Sequence, residues 1–167
     1  MAEEKREKME KIKIGTVQQR LTALSLIPLH KAEKELRRKV IRAVIEYDKI
    51  STAYKRDINE TLAKLKPEGF DERLQKYGAA INPTDENRRE ADRQAADAGF
   101  APFKEEYDRV LAEWRELDAE MSRENDYDLP DAVPTFSEEE FEQMGEALSA
   151  GEHPNAMEAL RFIMQVL

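Results

Sequence analysis

The pattern of apolar and polar positions is most regular between Lys31 and Lys66, where apolar residues recur every three or four positions without a glycine or proline. Such spacing places side chains on one face of an α-helix. Pro67 ends the pattern, because proline disfavours helical geometry at the residue before it. The sequence therefore predicts one long amphipathic helix with an apolar face formed by Leu36, Val40, Ala43, Tyr47, Ile50, Tyr54, Ile58, Leu62 and Leu65.

The first half of this helix has a wider apolar face than the second half. Ile41, Val44 and Ile45 widen the face before Tyr47, whereas beyond Ile50 the stripe has the width that one partner helix covers. We therefore expect the first half to lie in a multi-helix core and the second half to belong to a two-helix stalk.

A second strong helical pattern runs from Pro102 to Glu124, with the proline in the first turn. Its apolar face is formed by Phe103, Tyr107, Val110, Leu111, Trp114, Leu117 and Met121. We predict a mainly α fold in which residues 29–66 and 102–125 form a long antiparallel helical hairpin. The N-terminal and C-terminal helices are expected to pack together at one end of it.

The terminal segments contain shorter elements. Lys11–Ile14 alternates polar and apolar residues, which is typical of a strand, and Ala132–Phe136 could pair with it as a short two-stranded ribbon. Thr16 is a candidate N-cap for the first helix, and Ser137 with Glu140 has capping-box spacing. The last helix is predicted to bury Met157, Leu160, Ile163, Met164 and Leu167.

The predicted domain organisation has three parts. Residues 1–10 are almost entirely charged and are expected to be a flexible arm, while residues 11–167 form a single helical-hairpin domain. Within that domain, residues 67–101 are expected to be a mobile connection. Its segment 84–98 has alanines but no large apolar residue, so the sequence leaves open whether this segment is ordered.

Composition agrees with long, solvated helices: 38% of residues are charged, 40% are hydrophobic and only six are glycine. The absence of cysteine excludes disulfides and thiolate metal sites, and the charged start lacks the apolar centre of a signal peptide. No apolar run approaches the length of a membrane span. We therefore expect a cytoplasmic protein.

Charge is distributed unevenly along the chain. The net charge is −9, but residues 1–66 hold 17 Lys and Arg against 10 Asp and Glu, whereas residues 67–167 hold 10 against 26. The simpler interpretation is that a basic half packs against an acidic half within one fold. The alternative is that opposite charges attract copies of the chain to one another, or attract another protein.

The sequence contains no recognisable catalytic, cofactor or metal motif. The two histidines, His30 and His153, stand alone near helix starts, and no glycine-rich phosphate loop or nucleophile elbow is present. Asp126, Asp128 and Asp131 lack the glycine and the final glutamate of a calcium loop. We therefore predict that the protein is not an enzyme, needs no cofactor and has no small-molecule substrate.

One cluster of basic residues is a candidate interaction patch. Its residues fall within about two turns of the long helix, so several of their charges can share a face. Acidic residues interrupt the cluster and no aromatic side chain is available to stack on a base, so nucleic acid is not the expected ligand. Pairing with the acidic part of the chain is the preferred interpretation for this patch, which comprises Lys34, Arg37, Arg38, Lys39 and Arg42.

Several short segments follow one another along the chain in a distinctive order. They are Lys11–Ile14, Leu21 with Leu24, the corner Ile27–Pro28–Leu29, Lys39 with Glu46 and Tyr47, Tyr77–Gly78, and the acidic stretch Asp128–Glu140. In this order they resemble small, mainly helical proteins of unknown function that tailed phages and prophages encode. The resemblance covers most of the chain but not residues 84–98. It implies a phage or prophage gene, and with it a location in the host-cell cytoplasm or in the virion, but not an activity.

Together these observations predict a non-enzymatic interaction or assembly protein that acts through helical protein–protein contacts. We expect a protein partner, with self-association as a homo-oligomer, and no membrane contact. The alternative is an acidic, phage-encoded inhibitor that binds a host protein through the acidic residues of 67–167.

Overall fold

The structure is a computed structural model that describes residues 10–167. The predicted arm, apart from Glu10, lies outside the described residues. Within them the fold is mainly α with one small antiparallel ribbon, so both features of the predicted fold class are confirmed. The elements in order are β1 (Lys11–Lys13), α1 (Ile14–Ser25), a 3-10 turn (Leu29–Lys31), α2 (Lys34–Ala63), α3 (Phe70–Ile81), α4 (Arg88–Ala95), α5 (Phe100–Glu124), β2 (Asp126–Asp128), α6 (Glu138–Ala150) and α7 (Ala156–Val166).

The ribbon has a different second strand from the one that the sequence suggested. β1 pairs with β2, with Ile12 opposite Tyr127, so the expected partner Ala132–Phe136 was wrong. The residues on either side of the Ile12–Tyr127 pair explain why β2 is the partner of β1, because each lysine of β1 lies opposite an aspartate of β2. Opposite charges directly across an antiparallel pair stabilise it, and both the Lys11–Asp128 pair and the Lys13–Asp126 pair form ion pairs.

The first helix starts earlier than predicted. α1 begins at Ile14, directly after the strand, and its N-cap is Lys13 in extended geometry, so the assignment of Thr16 as N-cap was wrong. Ile14 and Val17 are both completely buried. The free energy of burying the Ile14 side chain favours a helix that includes it, and this outweighs the local capping preference of threonine.

The long helix is confirmed, but it is shorter at both ends than predicted. α2 begins at Lys34, because Leu29–Lys31 forms a 3-10 turn and Ala32 is extended, and it ends at Ala63. Its predicted apolar face is buried from Leu36 to Ile58. The wider face at its first half is not fully covered, since Ile41 and Ile45 are 42% and 51% exposed.

The chain forms two compact units, and α2 contributes residues to both. One unit consists of the described residues up to Arg56 together with Met121–Leu167, and the other is Asp57–Glu120. In the first unit α7 contacts both α1 and α6. Its largest fully buried side chains are Ile14, Val17, Leu24, Leu36, Val40, Met144, Leu148 and Ile163.

The second unit has an aromatic core between α3 and α5. The ring of Phe70 lies 5.8 Å from that of Phe103 and 6.1 Å from that of Trp114, and the ring of Tyr77 lies 5.5 Å from that of Phe103. The apolar patterns predicted that the long helix covers this face of α5, whereas α3 supplies the aromatic contacts.

Residues 67–101, the expected mobile connection, contain α3 and α4, which pack against each other. Gly69 starts α3 with a left-handed φ of 75° that only glycine adopts without strain. The mobility of this segment stays a prediction.

Candidate functional site

The structure divides the predicted basic patch into two parts with different roles. Lys39 and Arg37 are used within the fold. The Lys39 ammonium lies 2.6 Å from a carboxylate oxygen of Glu140 and 5.3 Å from the ring centre of Phe136. Arg37 donates hydrogen bonds to the backbone carbonyls of Leu29 and Ala32, at 2.8 and 3.1 Å, and thereby holds the 3-10 turn against the start of α2.

The Lys39 contact is positioned by a capped helix start. The hydroxyl of Ser137 accepts a hydrogen bond from the Glu140 backbone N–H, while the Glu140 carboxylate accepts one from the Ser137 N–H, which confirms the predicted capping box. Burial acts to raise the pKa of Glu140, but the hydrogen bonds from Lys39 and Ser137 outweigh it and hold this pKa below its usual range. Lys39 is thereby paired with the acidic part of the chain, as the sequence analysis preferred for the patch.

The other three cations of the patch remain on an exposed face of α2. Lys34, Arg38 and Arg42 follow one another at four-residue intervals, and within residues 10–167 no ion pair is found for any of them. Ile41 and Ile45 follow Arg38 and Arg42 by three positions, so they lie on the same side of the helix. We call these five residues, Lys34, Arg38, Ile41, Arg42 and Ile45, the α2 stripe.

The α2 stripe combines two kinds of surface that suit a protein partner. Its cations can pair with carboxylates, and its isoleucines leave apolar area in water that a partner would cover. It has no aromatic side chain on which a nucleobase could stack. The chemistry of this face therefore fits an acidic protein surface with an apolar centre.

A second exposed surface, which the sequence analysis missed, lies between α6 and α7. It is a groove of about 610 Å³. We call it the α6–α7 groove, and its lining residues are Glu142, Gly145, Glu146, Ser149, Ala156, Met157 and Leu160.

Small residues and one methionine, Met157, line this groove. At Gly145 an added Cβ would lie 2.9 Å from Cδ2 of Leu160, so glycine allows the two helices to approach closely there. Met157 is 70% exposed and Met164 is 53% exposed, so the expectation that α7 buries both methionines was wrong. The core receives the face of α7 that carries Ala159 and Ile163, and Met157 and Met164 remain on another face. The small residues at four-residue spacing, Gly145 and Ser149, are the sequence signal that could have indicated a groove.

The second unit contains a polar cavity of about 180 Å³ between α3 and α4. The phenol of Tyr77 donates a hydrogen bond of 3.0 Å to Asp97, and Lys76 lies 3.7 Å from the same carboxylate. The backbone N–H of Gly99 and the Tyr77 hydroxyl hold the pKa of Asp97 below its usual range. These groups satisfy one another, so the cluster holds the two helices together and offers no unpaired group to a ligand.

The remaining chemical candidates do not form a site in the part of the chain that is described. His30 lies in the 3-10 turn, and Nδ1 of His153 accepts a hydrogen bond from the Asn155 N–H at 3.1 Å. Across residues 10–167 there is no cluster of three or more histidine, aspartate and glutamate side chains placed to hold a metal ion. Nor do these residues include a helix that is long and apolar enough to cross a bilayer.

Two exposed surfaces, the α2 stripe and the α6–α7 groove, are thus the candidate functional features of the described chain. Comparison with protein-family models, with curated proteins and with solved structures finds no significant match to the sequence or to the fold.

Proposed function

We propose that this protein is a non-enzymatic interaction or assembly protein, encoded by a phage or prophage, that acts through helical protein–protein contacts and self-associates as a homo-oligomer. The observation that carries the proposal is the α2 stripe, where three cations without an ion pair among residues 10–167 flank two isoleucines that are about half exposed. Apolar area of this kind, next to charge, is typical of interaction surfaces. The phage context is supported by the sequence resemblance.

The test of self-association is sedimentation equilibrium at low and high salt. Attraction between charges fades as the Debye length falls from ~10 Å at 0.1 M to ~3 Å at 1 M salt, whereas apolar packing persists. We expect an oligomer, at least a dimer, at both salt concentrations. Its association should be weaker in 1 M salt than at 0.1 M. A monomer under both conditions would contradict self-association.

A second candidate function is that of an acidic inhibitor of a host protein. The observation that favours it is a row of exposed carboxylates on the first turns of α6, formed by Glu138, Glu139 and Glu142, for which no ion pair is found among the described residues. Such a row can mimic the phosphates of a nucleic acid.

The two functions are separated by capture of host proteins on the immobilised chain. The inhibitor function requires that a nucleic-acid-binding host protein is retained and that changing Glu138, Glu139 and Glu142 to Gln releases it. Retention that is unchanged by this triple substitution, or no retention, would exclude the inhibitor function through this row.

A further inference from the structure

We infer that the α2 stripe of one copy docks into the α6–α7 groove of a second copy, and that a two-fold axis makes this contact twice in a closed dimer. The inference rests on the proposed self-association and names the surfaces that perform it. Both surfaces belong to the same compact unit, which consists of the described residues up to Arg56 and Met121–Leu167. Both are exposed in the single chain, so neither is covered by the other within one copy.

The two surfaces have matching charge. On the α2 stripe, Arg38 and Arg42 are four residues apart, and on the groove Glu142 and Glu146 are four residues apart. At 1.5 Å rise per residue, each pair spans about 6 Å along its helix. Two guanidinium groups can therefore meet two carboxylates at the same spacing, and none of the four has an ion pair within the described part of its own chain.

The apolar parts of the two surfaces also correspond. Ile41 and Ile45 lie beside the two arginines on α2, and they can enter the open groove of about 610 Å³, whose apolar lining includes Met157 and Leu160. Met157 stands at the groove with 70% of its surface in water, and its flexible thioether side chain can adapt to a partner's isoleucines. Docking would thus cover the apolar groups that the single chain leaves exposed.

Two-fold symmetry allows such a small contact to hold a stable dimer together. A single contact over two helical turns is small beside the roughly 1,200–2,000 Å² that stable interfaces bury. Two complementary surfaces on one chain can meet reciprocally in a closed dimer, which doubles the buried area, whereas head-to-tail contacts without closure would produce open chains. The attraction between the arginines of the stripe and the glutamates of the groove counteracts the repulsion between two copies that each carry a net charge of −9.

The experiment reverses the charge of each surface separately and then combines the variants. One variant carries Arg38→Glu and Arg42→Glu, and the other carries Glu142→Arg and Glu146→Arg. Each variant alone places like charges together in both contacts, so we expect its self-association to weaken at least ~10-fold in sedimentation equilibrium. In an equimolar mixture, the acidic stripe meets the basic groove and the basic stripe meets the acidic groove, so we expect a 1:1 heterodimer.

A control matched to the Arg38→Glu, Arg42→Glu variant carries the same change of charge elsewhere. Arg109→Glu with Arg115→Glu alters two exposed arginines of α5, outside both surfaces, and is expected to leave self-association within ~2-fold of the wild type. Circular dichroism checks that every variant keeps its helices, which is expected because all six changed positions are exposed sites on helices and receive residues with good helix propensity.

The outcomes separate this inference from the proposed function. If the wild type forms an oligomer that both charge reversals leave unchanged, or if the mixture fails to associate, this interface is wrong and self-association stands. If the wild type is a monomer throughout, both self-association and this interface are refuted. If the mixture forms open, growing chains, docking stands but the two-fold closure is wrong.

Discussion

Replacement of Phe70 by alanine tests whether the aromatic core of the second unit is assembled as described. The Phe70 side chain is 2% exposed and contacts the rings of Phe103, Tyr107 and Trp114 at centroid distances of 5.8, 6.4 and 6.1 Å. A buried aromatic side chain removes roughly 150 Å² or more from water, which at about 25 cal/mol per Å² corresponds to about 4 kcal/mol. The alanine side chain still buries part of this area, so the loss of transfer free energy alone is about 3 kcal/mol.

The lost ring contacts and the remaining cavity add to this cost. Each favourable aromatic pair contributes about 0.5–1.5 kcal/mol beyond its area, and three pairs are removed together. The neighbouring side chains relax in part, so we expect the free energy of unfolding to fall by about 4 kcal/mol, inside the ~3–5 kcal/mol that is typical of such truncations.

Urea denaturation followed by tryptophan fluorescence is the assay. Trp114 is the only tryptophan in the chain and its ring contacts Phe70, so its emission reports on this core. The control is Leu65→Ala, since Leu65 is 37% exposed and its truncation is expected to cost less than about 1 kcal/mol. A Phe70→Ala protein that loses no more than this control would refute the packing of α3 against α5.

Three further predictions concern the first unit, the start of α3 and the histidines. The folded-state pKa of Glu140 lies below its usual value of 4.5, so its pairing stabilises the fold above that pH and the contribution is lost as pH falls through the lower, folded pKa. Lys39→Met should therefore lessen the loss of stability as the pH falls below 4.5, measured by thermal unfolding; an unchanged pH profile would contradict the pairing. Gly69→Ala should cost ~1–2 kcal/mol in urea denaturation, because its φ of 75° is strained for any residue with a Cβ, and no loss would mean that the turn has another conformation. His30→Gln combined with His153→Gln should leave the folding and the self-association nearly unchanged, and lost association in a folded protein would indicate a histidine site.

The elements with strong local signals follow from the sequence alone. The buried face of α2 from Leu36 to Ile58 agrees with the three-and-four spacing, because that spacing is a property of the helix itself. The start of α6 is equally local, because the capping box of Ser137 and Glu140 forms there. Phe136 precedes the N-cap and its ring lies 6.3 Å from that of Phe141 in the first turns of the helix, which is the contact called a hydrophobic staple.

The partners of these elements depend on contacts between distant parts of the chain. Periodicity shows that α5 has an apolar face, but it does not distinguish α2 from α3 as the element that covers it. The ribbon also depends on a distant partner. The alternation of polar and apolar residues identifies Lys11–Lys13 as a strand, but its pairing with Asp126–Asp128 depends on matching charges more than a hundred residues away in the sequence.

The candidate site also separates what the sequence determines from what the tertiary structure decides. Sequence spacing identified the basic cluster on α2, but only the tertiary structure separates Lys39, which pairs with Glu140, from Arg38 and Arg42, which remain unpaired among the described residues. The exposure of Met157 and the α6–α7 groove likewise depend on how α6 and α7 pack. A sequence determines which side chains share a helix face, whereas the packing of other elements decides whether that face is covered, because burial is a property of the whole fold and not of the segment.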